Sequence, residues 1–150
     1  MHAYMPLSLK FSPDIFEWLL ARVSEEKMDV PTHPKRFSPR QIACHLAFWE
    51  PVARWRMQRA LEEDGAAVEG WDEDGHCIEA NYDGQDLAEM LALFRAARLE
   101  TKAWLDALPR EQWSRSVVHP ERGVMTITDM ANMLPAHDIY HIQQLMEVIS

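Results

Sequence analysis

Cysteine is nearly absent from this chain of 150 residues: Cys44 and Cys77 stand alone, with no C-x-x-C pair. That excludes a disulfide-stapled scaffold, and both thiols are expected to be reduced. Long apolar runs are missing as well. The stretch from Gln41 to Trp49 is among the longest without a charge, far short of the roughly 18 apolar residues of a membrane span. Near the N-terminus Lys10, Asp14, Glu17 and Arg22 interrupt anything like the apolar region of a signal peptide, so a cytoplasmic location is expected. There is no lysine- or arginine-rich run, and the formal net charge is -9. A nucleic-acid partner needs cations to displace the counterions of the phosphate backbone, so this balance argues against one. Repeats, low-complexity tracts and composition shifts are lacking too, which leaves a single domain over 1–150.

What the chain does have is helical periodicity, in four segments. The first opens at Ser12-Pro13, a capping residue followed by proline, and puts Phe16, Leu19, Leu20 and Val23 on one side. The second opens at Ser38-Pro39 with Gln41 at capping-box spacing. Its inner stripe is Ile42, His45, Trp49 and Val52, fading near Glu62 to Gly65. Between Gly65 and Gly84 periodicity disappears, and a long exposed connection is expected. The third helix runs from about Asp86 to Leu108 and stops at Pro109; one further turn follows near Pro109 to Trp113, and His119 to Gly123 reads as a loop. The fourth begins near Thr126 or Thr128, with Thr126 and Asp129 as a capping pair, and carries Ile127, Met130, Leu134, His137, His141, Leu145 and Val148 inward. Four amphipathic helices without a convincing strand predict an all-α four-helix bundle with a long loop between helices 2 and 3. Trp18, Trp49, Trp55 and Trp104 are its expected bulky core material.

The histidines carry the chemistry. His137 and His141 are four apart and project from one face, in phase with Leu134, Leu145 and Val148. His45 holds the corresponding inward position in the second helix. Burying three imidazoles without partners would cost about 1–3 kcal/mol each, and a shared cation would satisfy all three. Three protein ligands with an open fourth position is the pattern of catalytic zinc, although imidazole also suits nickel, copper and iron. A di-iron carboxylate bundle is excluded, because the required Glu-x-x-His pairs do not occur.

Three stretches resemble the DinB/YfiT-like superfamily of four-helix metalloproteins: 38–50 around His45; Trp71 to Gly75 followed by Phe94 to Arg98; and Pro135 to Gln143 with its His137-Asp138-x-x-His141 pair. The resemblance implies an up-down-down-up bundle, a zinc or nickel ion, frequent homodimers, and metal ligands at His45, His137 and His141. It also implies a metal-dependent enzyme, a thiol-dependent transferase or isomerase or a hydrolase, with a low-molecular-weight thiol as co-substrate in the first case. A metal-binding stress-response or dimerisation module, in which the ion is structural, is the alternative.

Other candidates rest on the residues alone. Arg98 interrupts the apolar stripe of the third helix and is a tentative substrate anchor, unless it pairs with a buried carboxylate or snorkels outward. Glu50 is a possible general base, but helical spacing takes it off the His45 face; Asp138 either orients a neighbouring imidazole or, as the preferred reading, is a solvated charge; His76 and His119 read as exposed. Pro51 and Pro135 sit inside helices, where each removes one hydrogen bond.

Overall fold

The computed structural model describes residues 4–150. The chain forms α1 (Met5–Leu20), a single turn α2 (Glu25–Met28) and the long α3 (Pro39–Glu62). Then come β1 (Ala66–Ala67), α4 (Glu73–Glu79) and α5 (Leu87–Asp106). A hairpin of β2 (Ser116–His119) and β3 (Gly123–Thr126) leads into α6 (Ile127–Ile149). Helices α1, α3, α5 and α6 make a four-helix bundle, and the short elements close its ends. No helix among the described residues is long and apolar enough to cross a membrane.

Helix direction follows from which side chains meet. Along α3 and α5 the pairs Arg40–Gln85, Glu50–Arg98 and Arg54–Thr101 rise together, so these neighbours run parallel. Between α1 and α5 the order reverses, with Ser12 on Arg98 and Glu17 on Arg95. Leu9 shares one core cluster with Leu134 and Met130 at the start of α6, and Leu19 shares the other with Leu145 and Val148 at its end, so α1 and α6 are parallel. Direction is therefore up, down, down, up. Parallel α3 and α5 cannot be joined by a tight turn, and the chain returns along the bundle through 63–86.

Ser38 and Gln41 form the expected reciprocal box at the start of α3, with 3.3 Å and 2.9 Å bonds, and Thr126 with Asp129 does the same for α6. Both boundaries were legible because capping is a local contact. The start of α1 was not. The helix begins at Met5, and Ser12-Pro13 lies inside it. A proline costs only the bond back to the residue four before it, and the apolar face of Met5 and Leu9 outweighs that loss.

Three further expectations are corrected. Residues 116–126 are a hairpin, with Ser116 opposite Thr126 and His119 opposite Gly123, and Ala66–Ala67 adds a parallel strand to it. Strands of two to four residues are too short to show alternation, and Gly123 takes the positive φ of +72° at the turn. The connection after Gly65 is not merely exposed, since it contains α4 and buries Tyr82. Of the four tryptophans, Trp49 is buried and Trp104 half-buried, whereas Trp18 and Trp55 are 56% and 49% exposed. Trp18 lies on the outer face of α1, covered by the Arg22 guanidinium 3.5 Å from its ring centre.

Cys44 is fully buried and its thiol is pushed up to about 12, chiefly by burial. Cys77 is half-buried, with its pKa raised by burial to a lesser degree. Alkylation at mildly alkaline pH should label Cys77 first and leave Cys44 unmodified until the chain unfolds, as peptide mass mapping would read. Equal labelling of both in the native state would contradict the packing.

Candidate metal centre

The three histidines of the inner stripes converge. His45 comes from α3, and His137 and His141 from successive turns of α6, the helix antiparallel to α3. Nε2 of His137 lies 2.9 Å from Nε2 of His45 and 3.2 Å from Nε2 of His141. One ligand nitrogen from each ring falls within 4.8 Å of the others. Two imidazole nitrogens bound at about 2.0–2.1 Å to one ion are about 2.9 Å apart at a right angle and about 3.4 Å apart at a tetrahedral one. The spacing observed is that of edges of a coordination polyhedron.

The protonation pattern agrees. Burial lowers the pKa of all three rings; for His45 the neighbouring His137 and His141 add to it, and His137 falls to about 3. All are neutral near pH 7. Nδ1 of His141 sits 2.8 Å from the Gln144 amide oxygen. That oxygen can only accept, so Nδ1 carries the proton and Nε2 turns its lone pair to the centre. Nδ1 of His45 and Nδ1 of His137 are buried with no protein partner. A single Nε2–H on His137 could bridge only part of this cluster and would leave buried nitrogens unpaired, whereas one divalent cation would take an Nε2 lone pair from each of the three rings.

Gln144 escaped the sequence reading, although its position three residues after His141 on the buried stripe was a usable signal. Replacing it with leucine is expected to weaken divalent-metal affinity by roughly 10–100-fold, the usual cost of removing a group that orients a ligand. Competition against a metallochromic chelator would measure this, and an unchanged affinity would remove Gln144 from the site.

His137 and His141 open onto a cleft of about 650 Å³ whose walls include Lys35, Phe37, Glu73 and Tyr140. Behind His45, Trp49 and Trp71 stack at 5.5 Å, and His76 packs 5.0 Å from Trp71 with its Nδ1 2.8 Å from the Tyr82 hydroxyl. His76 is thus half-buried in an aromatic wall, and His119 is buried in the hairpin; neither is the exposed residue expected of it.

Arg98 is not free to anchor a substrate. It is 1% exposed, and its guanidinium meets Asp138 at 2.5 Å and 2.9 Å, Glu50 at 2.9 Å and the Ser12 hydroxyl at 2.6 Å. Burial opposes its charge, and Glu50 with Asp138 outweighs that opposition, leaving its pKa raised. Asp138, expected in solvent, is likewise buried in this cluster.

A sequence profile of the DinB superfamily matches residues 8–145. The chain belongs to the DinB superfamily. Among curated proteins, this superfamily member is 23% identical over 127 residues to a Bacillus subtilis (strain 168) protein named "Putative metal-dependent hydrolase YfiT", covering 84% of this chain and 71% of that one. The solved structure of Bacillus subtilis YfiT, described as a probable metal-dependent hydrolase with an unusual four-helix bundle topology, superposes with a TM-score of 0.89 at 21% identity, over 96% of this chain and 83% of that one. The Bacillus subtilis DinB-like protein YjoA gives a TM-score of 0.62 at 12% identity, over 97% and 89% of the two chains. At such identities the superpositions speak for the fold alone.

Proposed function

We propose that this DinB-superfamily chain is a metal-dependent enzyme that holds one divalent ion, zinc or nickel, on His45, His137 and His141. Its reaction, in this reading, is attack by an activated water or low-molecular-weight thiol on an electrophile in the adjoining cleft. The observation that carries the proposal is the meeting of three neutral imidazoles at 2.9 Å and 3.2 Å, His45 and His141 buried and His137 half-buried, two of them on the wall of an open cleft. When bound, an ion with three protein ligands supplies Lewis acidity at its open position, enough to bring the pKa of water or a thiol near neutrality.

The chain's own groups do the rest. Gln144 fixes the His141 ring, and the stack of Trp49 and Trp71 excludes water from the far side of His45. Glu73, whose pKa is raised by burial and then by Asp74, is a carboxyl on the cleft wall and the candidate proton acceptor there. The name of the curated relative supports the water-using form, and the family resemblance supports the thiol-using one.

Elemental analysis of the purified protein, followed by turnover assays on activated esters, amides and epoxides with and without thiols, tests this. Stoichiometric metal with metal-dependent turnover is expected. Thiol-dependent turnover selects the transferase, and thiol-independent turnover the hydrolase. Because the ligands come from two helices, an ion there would also tie α3 to α6. Metal that raises thermal stability while no electrophile, thiol or anion engages it would favour a structural ion over catalysis. A homodimer belongs to the same reading: Leu7, Phe11, Ile15 and Trp18 form an exposed apolar stripe on the outer face of α1, and sedimentation equilibrium checks it.

A further inference from the structure

Arg56 is only 6% exposed, yet among the described residues no carboxylate pairs with it. One amino group donates to the Glu69 carbonyl at 2.8 Å, and the guanidinium lies 5.1 Å from the centre of the Trp49 ring. Its Nε has no acceptor, and neither does the buried Nε1 of Trp49. Arg98, similarly buried, holds two carboxylates. A third donor stands nearby. His119 is buried, and its Nδ1 accepts from the Glu121 backbone N–H at 3.2 Å, so the neutral ring carries its proton on Nε2.

Trp49, Arg56 and His119 line one narrow cavity between α3, the hairpin and the start of α6, together with Met125, Met130 and Met133. Its free space is about 10 Å³, close to that of one water-sized particle. The surroundings are electropositive. Burial, then Arg56 and Arg122, lower the pKa of His119; burial, then Arg122, lower that of Arg56, and the carboxylates of Glu121 and Glu73 act on Arg56 only at a distance. A buried cation without a counter-charge is strongly disfavoured, so a compensating charge is called for.

We propose that this cavity is an anion site that takes one small monoanion, of the size of chloride or the carboxylate of formate, on the N–H groups of Arg56, Trp49 and His119. Arg56 also borders an open groove of about 360 Å³ lined by Val52, Trp55, Glu69 and Trp71, the side from which an anion would approach it. The site does not depend on the three-histidine reading, from which the Trp49 indole separates it.

The test titrates formate and, separately, chloride into the purified protein at constant ionic strength. Sodium sulfate is the background, since its dianion exceeds the cavity. The readouts are the Trp49 indole N–H resonance, assigned with a Trp49→Phe variant, and the melting temperature. A saturable shift of that resonance with a parallel rise in melting temperature is expected, absent in Arg56→Gln and at least about tenfold weaker in Arg56→Lys, which keeps the charge but loses the fork. Formate binding without chloride would mark a carboxylate subsite; binding of both would mark a general monoanion site. If Arg56→Gln does not fold, His119→Leu serves, and a midpoint unchanged in that variant overturns the proposal. So does a Trp49 resonance that neither anion moves saturably.

Discussion

Replacing Arg98 with methionine is expected to destabilise the fold by roughly 3–5 kcal/mol, the usual cost of removing one partner from a buried ion pair. Methionine fills much of the same volume, so the loss is electrostatic. Glu50 and Asp138 would be left as two buried carboxylates without a counter-charge, with the Ser12 hydroxyl also stripped of its donor. At about 2–4 °C per kcal/mol for a chain of this size, the melting temperature should fall by roughly 6–20 °C. Adding Glu50→Gln and Asp138→Asn to the same variant removes the stranded charges and should restore a large part of the loss. A single Arg98→Met variant that melts within a degree or two of the wild type would show that the triad is not the electrostatic centre of the bundle.

His137→Leu should behave in the opposite way. His137 is the central ring, within 2.9 Å and 3.2 Å of the other two nitrogens, so its loss leaves a two-ligand remnant. Divalent-metal affinity should drop by more than about 100-fold, beyond the range seen for removing a mere supporting group. Stability of the metal-free protein should not drop with it. An imidazole whose Nδ1 is buried without a partner costs about 1–3 kcal/mol, and leucine has nothing to leave unsatisfied. The metal-free variant should therefore melt at or above the metal-free wild type. Calorimetry of both after chelation decides: a variant that retains stoichiometric metal, or one much less stable than the metal-free wild type, would mean these rings are packing and not ligands.

The contrast explains what was legible beforehand. His45, His137 and His141 could be read because one helical period decides which residues share a face, and all three fell in phase with leucine, isoleucine and valine. The same period took Glu50 about 140° and Asp138 about 100° away from their neighbouring histidines, as the structure has them, and reading Asp138 as a solvated charge was the error. That rotation turns both toward α5, where Arg98 waits. Periodicity gives a direction around a helix axis and not what stands in that direction. Boundaries followed the same logic: Ser38 with Gln41 and Thr126 with Asp129 close bonds within four residues, so sequence shows them, whereas the four-residue strands at 116–126 are too short to show alternation and the strand that joins them, Ala66–Ala67, lies some fifty residues earlier. Trp18 and Trp55 failed for a simpler reason, since size alone does not pick the face of a helix.

The parallel course of α3 and α5 reaches beyond topology. Two helices pointing the same way oblige the backbone to travel back between them, and in doing so it passes along the cleft, bringing Glu73, Asp74, Cys77 and Ile78 to its wall. The scaffold that carries the imidazoles and the segment that frames their doorway are thus separate stretches of chain under separate constraints. Substitutions in the returning segment can reshape the cleft while the histidine-bearing helices stay as they are, so that, on the proposed reading, the architecture can change what it admits without rebuilding its centre.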